Sequence, residues 1–133
     1  MKRTIFTVIT LLWATIALAD VTVNFTVPLN LQKMDPSLKH AAAKCFIKGA
    51  DGKEIAFGYA HSTAPVSGNA VNGNAVVPVS LSFAQASSAK SWECELWLEA
   101  NSSMYPAHEG GCINALPLCT FEAGAKLKVS GKF

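Results

Sequence analysis

Apolar residues recur at every second position along most of this chain beyond residue 20. The first such run is Val21, Val23, Phe25, Val27, Leu29 and Leu31, with Thr22, Asn24, Thr26, Pro28 and Asn30 between them. A period of two places one set of side chains on each face of a strand. A chain patterned this way forms half-buried strands that must pair and pack on one face. Pro28 cannot donate to a ladder, so the run predicts an edge strand or two shorter ones.

The same pattern continues in short segments. Ala41, Ala43, Cys45 and Ile47 share a face over residues 40–48, and Gly49-Ala50-Asp51-Gly52-Lys53 is a hairpin signal. Ile55, Phe57 and Tyr59 follow on one face, then a Ser-, Gly-, Asn- and Pro-rich stretch at 61–74 that reads as a loop. Val77, Val79, Leu81 and Phe83 point one way, and residues 84–89 suffice for one helical turn. Trp92, Cys94, Leu96 and Leu98 face inward over 91–100. Residues 101–124 read as a long irregular segment. Over 125–133, Leu127, Val129 and Phe133 oppose Lys126, Lys128 and Lys132. Six or seven short strands, with no repeat and no long helix, predict an all-β, antiparallel two-sheet sandwich or a barrel.

The first nineteen residues stand apart. Met1-Lys2-Arg3-Thr4 is a basic start, residues 5–17 carry no charge, and Ala17-Leu18-Ala19 is an A-x-A cleavage site. That is the pattern of a secretory signal peptide, too short for a membrane span. A single domain over 20–133 follows, exported to the periplasm or outside the cell. Two of the 11 basic residues lie in the leader, so nine lysines balance nine acids, and no arginine remains. A neutral chain without arginine lacks the basic footprint of a nucleic-acid protein. After an export signal, Cys45, Cys94, Cys112 and Cys119 are expected as disulfides, in any of three connectivities.

Cys45 and Cys94 sit mid-strand, 49 residues apart, each on the apolar face of its strand. The run Ser88-Ala89-Lys90-Ser91-Trp92-Glu93-Cys94 has an aromatic two residues before the second cysteine, and Phe57 follows the first by twelve. In these features residues 21–133 resemble an immunoglobulin-like sandwich, with Trp92 where that fold carries a corner tyrosine and Phe57 where it carries a core tryptophan. The resemblance implies a Cys45–Cys94 bridge between the two sheets and end loops able to bind. It implies no ligand.

Segment 101–124 is too long for a routine turn and holds Tyr105, Pro106, His108, Leu116 and Phe121. Cys112 and Cys119 can staple it, and a stapled loop loses less entropy on binding. These five residues are therefore expected as loop contacts, joined by Trp97, an indole flanked by glutamates on its strand's outward face. His108, Cys112 and Cys119 match no zinc spacing, so no metal and no cofactor are expected. His40, His61 and His108 are scattered and no catalytic motif is present, so an enzyme is not expected. The expected function is a small exported binding or adhesion module whose partner is a protein or a surface glycan. The alternative is a structural subunit of an envelope assembly, joined by strand addition through residues 21–31. An exported inhibitor or small enzyme ranks third.

Overall fold

The computed structural model describes residues 20–108, 111–112, 120–124 and 127–133, with backbone alone at Gly111 and Cys112. The leader, Leu116, Cys119 and any Cys112–Cys119 bridge lie outside the described residues. Nine strands and one short helix are present among those described: β1 (Val21–Gln32), β2 (Leu38–Lys48), β3 (Glu54–His61), β4 (Val71–Leu81), α1 (Phe83–Ser88), β5 (Ser91–Ala100), β6 (Ser103–His108), β7 (Gly111–Cys112), β8 (Glu122–Ala123) and β9 (Lys128–Lys132). They form two antiparallel sheets. The smaller has the order β4-β1-β8; the larger runs β3-β2-β5-β6-β7, with β9 also on β5. This is the all-β sandwich expected from the alternation.

The core lies between the sheets. β1 contributes Val27, Leu29 and Leu31, and β4 contributes Val71, Ala75, Val77, Val79 and Leu81. Facing them are Ala41, Ala43, Cys45 and Ile47 of β2 and Cys94, Leu96, Leu98 and Ala100 of β5. β1 pairs with β4 without interruption from Val21 to Leu31, passing through Pro28. The Gly124 N–H donates to the Asn30 carbonyl on the β8 side. Pro28 has the same parity as Asn30, so its missing N–H also faces away from β4. On that side β1 has ladder partners only at Leu31 and Gln32 among the described residues. An edge is where a strand tolerates proline.

β4 ends at Leu81 because Ser82 opens a helix. The Ser82 hydroxyl accepts from the Gln85 N–H, and the Gln85 side chain accepts from the Ser82 N–H. This capping box satisfies two of the helix's free donors. It turns Phe83 outward, 53% exposed, instead of continuing the inward row expected for it.

The Cys45–Cys94 disulfide is present. Its expected placement between the sheets is corrected: Cys45 and Cys94 are direct register partners on neighbouring strands of the larger sheet, with Cα atoms 4.0 Å apart. It therefore staples β2 to β5 inside one layer. A loop of this length is worth about 4 kcal/mol in the chain-entropy view, a large share of a typical domain's stability. Trp92 is also corrected. It is no corner residue but lies against Phe25, ring centroids 5.3 Å apart, and over its register partner Gly131. A Cβ at Gly131 would fall 2.7 Å from the indole, so the glycine is the space the ring needs. Phe133, expected inward, is 60% exposed.

Where it is described, the segment expected to be irregular is largely strand. β6 follows β5 through a two-residue turn, with Ala100 paired to Ser103 and positive φ at both Asn101 and Ser102. Paired positive φ values define the type I′ hairpin. β5 is long enough to serve two partners on one edge, β9 along Ser91–Glu95 and β6 along Trp97–Ala100.

Candidate functional site

The phase of β3 decides what the larger sheet shows to solvent. Its residues alternate small and large: Ala56, Gly58 and Ala60 against Phe57, Tyr59 and His61. A purely hydrophobic reading turns Phe57 and Tyr59 inward. The structure does the reverse. Ala56, Gly58 and Ala60 pair with the inward Ile47, Cys45 and Ala43 of β2. A register shift between Ile47 and Lys48 lets Ile55 as well as Ala56 reach the core. A one-residue slip sends every later side chain to the opposite face. Steric demand fixes the phase. A Cβ on Gly58 would collide with the Pro78 carbonyl of β4, so this edge admits only small inward residues. Phe57 is 57% exposed and Tyr59 37%. The core aromatic expected at Phe57 is thus a surface ring.

Rows of outward side chains run from β3 through β2 to β5. Phe57 lies opposite Phe46, which lies opposite Glu93. Tyr59, Lys44 and Glu95 form the next row, and His61, Ala42, Trp97 and Pro106 the next. His40 and Glu99 follow, with Met104 beyond them on β6.

Lys44 is the centre of this face. Its ammonium lies 4.9 Å from the Phe46 ring centroid, 4.7 Å from that of Phe57 and 5.0 Å from that of Trp97. Each such contact is worth roughly 0.5–1 kcal/mol at an exposed site and about 2 when desolvated. Among the described residues no carboxylate lies within 4.0 Å of the ammonium, and no acceptor takes its hydrogen bonds. Its register partner Glu95 is engaged elsewhere. Lys128 Nζ reaches Glu95 at 3.1 Å and Glu93 at 2.9 Å, and Lys48 reaches Glu93 at 3.4 Å. Opposite charges thus meet across the ladder between the outward residues of β5 and β9. Burial raises the Glu93 carboxyl, but bonds and charges from Lys128 and Lys48 outweigh it and hold it below its ordinary value.

A polar group borders the rings. Tyr59 and His61 share a hydrogen bond of 2.9 Å, Oη to Nε2, whose donor depends on the His61 tautomer. The Glu99 carboxylate lies 3.9 Å from His40 Nε2 and 4.0 Å from His61 Nε2, and the two imidazoles stand edge-on at 5.3 Å. Burial, and then the Glu99 charge, push the Tyr59 hydroxyl above its ordinary value, so it keeps its proton and can donate. Among the described residues no group of three or more His, Cys, Asp or Glu is arranged to hold a metal ion, and no helix is long and apolar enough to cross a membrane. The void between the sheets at Val27, Leu29, Leu96 and Val129 is about 10 Å³, room for one water.

The residues expected as loop contacts are dispersed. Tyr105 pairs with Leu98 on the inward side of β6 and packs against the core. Phe121 is only 9% exposed and belongs to the core. Both pack against the core: Tyr105 because the hairpin at Asn101 and Ser102 turns it to the inward face of β6, and Phe121 from the residues just before β8 on the smaller sheet. Pro106 faces outward beside Trp97, and His108 is exposed at the end of β6. Leu116 lies outside the described residues. Trp97 belongs to the outward face, as expected, and its buried Nε1 has no hydrogen-bond partner among the described residues. None of Lys44, Phe46, Phe57, Tyr59, His40, His61 and Glu99 was expected as a binding residue from the sequence. The small–large alternation of β3 was the signal available.

Side chains from three strands thus make one outward face: aromatic rings about one ammonium, edged by hydroxyl, imidazole and carboxylate. No family model, curated protein or solved structure matches the chain.

Proposed function

We propose that this chain is a small exported, non-enzymatic binding module that engages saccharide surfaces through the outward face of its larger sheet. One observation carries the reading: four large aromatic residues of this sheet lie on its outward face, with Phe57 and Tyr59 exposed beside Phe46 and Trp97. A solvated sheet face has no need of them, and exposed aromatic groups mark contact surfaces. A sugar ring has an apolar face that lies flat on an aromatic ring and a rim of hydroxyls that both donate and accept. Tyr59, His40, His61 and Glu99 supply both kinds of partner along one border of the rings. Side chains on an outward sheet face can recognise such a ligand without backbone pairing. The disulfide and the leader pattern support export. The immunoglobulin-like resemblance enters this reading as architecture only: two antiparallel sheets, with the bridge inside one of them.

A single site of this kind is weak, and adhesion would come from many copies acting together. The test is retention of the purified protein on an array of immobilised oligosaccharides. Wild type is expected to be retained on a subset of them. The Phe57→Ala/Tyr59→Ala double variant is expected to lose that retention with its thermal midpoint unchanged, since both rings are exposed. Replacing Cys112 and Cys119 together is expected to leave retention intact. Equal retention of the aromatic double variant would overturn the assignment of the face.

A further inference from the structure

We infer that the sheet face selects acidic sugars: the ligand is a carboxylate-bearing pyranose, with its carboxylate on the Lys44 ammonium and its ring on Phe57 and Tyr59. This rests on the saccharide-binding reading and names the ligand within it. The argument starts from the state of Lys44. A half-buried ammonium is ordinarily paired with a carboxylate, because removing its water is costly. Lys44 has an acidic register partner, Glu95, and does not use it. Glu95 and Glu93 are instead drawn to Lys128 and Lys48, which leaves the lysine's charge uncompensated by any close carboxylate among the described residues.

Three rings hold the ammonium by its charge while leaving its three N–H donors without a protein acceptor among the described residues. Rings contact a cation through their faces and take none of its strong hydrogen bonds. An incoming carboxylate supplies them, and charge-assisted bonds are roughly twice as strong as neutral ones. The local balance also fits. Glu93 and Glu95, the carboxylates in and beside the Lys44 row, are paired with Lys48 and Lys128, so an anion placed on Lys44 meets no unpaired carboxylate there. A peptide carboxylate fits less well, because peptides bind sheets mainly by backbone pairing at an edge. The groups here are side chains on a face.

The experiment is isothermal titration of the purified protein with three probes: tetragalacturonate, its fully methyl-esterified and therefore neutral counterpart, and an acidic hexapeptide of Asp and Glu. Tetragalacturonate is expected to bind at least tenfold tighter than the ester, with a preference that shrinks as salt rises. Lys44→Met keeps the aliphatic stem and removes the charge. It is expected to bring the two sugars to equal affinity, whereas Phe57→Ala is expected to weaken both. Circular dichroism melts of each variant check that the fold persists. Should Lys44→Met fail to fold, the salt dependence of the wild-type preference decides the matter alone. Equal wild-type binding of acid and ester, weakened by Phe57→Ala, would sink the acidic class and keep the sheet face. Binding of the hexapeptide alone would sink the saccharide class. Binding of no probe, or binding untouched by Phe57→Ala, would overturn both this inference and the reading beneath it.

Discussion

Lys128 reaches two glutamates on the neighbouring strand, and the pair of shifts it produces has a definite pH signature. Glu93 is held below its ordinary value of 4.5, so its contribution is present above that value and is lost as pH falls through the lower folded one. Bonds first to Glu93 and then to Glu95 raise Lys128 above its ordinary 10.5, so its contribution is lost only as pH rises beyond that. The group therefore stabilises fully from roughly pH 5 to 10. Exposure limits its size, with Lys128 55% exposed, to about 1 kcal/mol or less. Lys128→Met is expected to lower the thermal midpoint slightly at pH 7 and to flatten its decline between pH 5 and 3. Superimposable acid profiles for variant and wild type would refute the assignment. The opposition of Lys128 to the glutamates was legible from alternation alone. The isolation of Lys44 was not, because it depends on which of two lysines captures Glu95.

At the scale of elements, the β5–β6 hairpin shows where sequence patterning runs out. Its strands are ordinary, but Asn101-Ser102 is a weaker hairpin signal than Asn-Gly, and both residues adopt positive φ. A non-glycine residue in that conformation costs about 1 kcal/mol. Ser102→Gly is expected to raise stability by roughly 0.5–1 kcal/mol in urea denaturation, with no change in slope. A loss of stability would mean that the turn differs from the one described. An irregular segment has no inward face, so Tyr105, which the hairpin turns toward the core, stood among the expected loop contacts. Strand β3 failed differently. Its period was correct and its phase inverted, because hydrophobicity ranks Phe57 above Gly58 and knows nothing of the Pro78 carbonyl beside it. The long first strand, the short helical turn after β4 and the strand that carries Trp92 to Leu98 follow from simple alternation or from residues adjacent in the chain, and these were the readable parts.

For the molecule as a whole, the approach of β3 to β4 ties the two sheets along one side. The Ser62 N–H donates to the Ala41 carbonyl and the Thr63 N–H to the Asn74 carbonyl at the end of this seam. Gly58→Ala is expected to push the seam apart, costing about 1–3 kcal/mol and lowering the thermal midpoint by roughly 5–15 °C. The penalty is expected even though alanine is the better residue for an unfolded chain to lose. An unchanged midpoint would show that the seam can open without cost. The same seam turns the aromatic residues of β3 to solvent, so close packing on one side of the strand and an exposed aromatic surface on the other share one cause.

The bridge inside the larger sheet has a mechanical meaning. It joins positions 49 apart in the chain, so β3, β4 and α1 lie within a closed covalent ring. If tension is applied between Asp20 and Phe133, that ring cannot be drawn out. At about 3.4 Å per residue, roughly 165 Å of contour stays hidden until the sulfur bond is reduced. Under load the chain behaves as a short tether with a locked reserve, and its reach is set by the redox state of its surroundings.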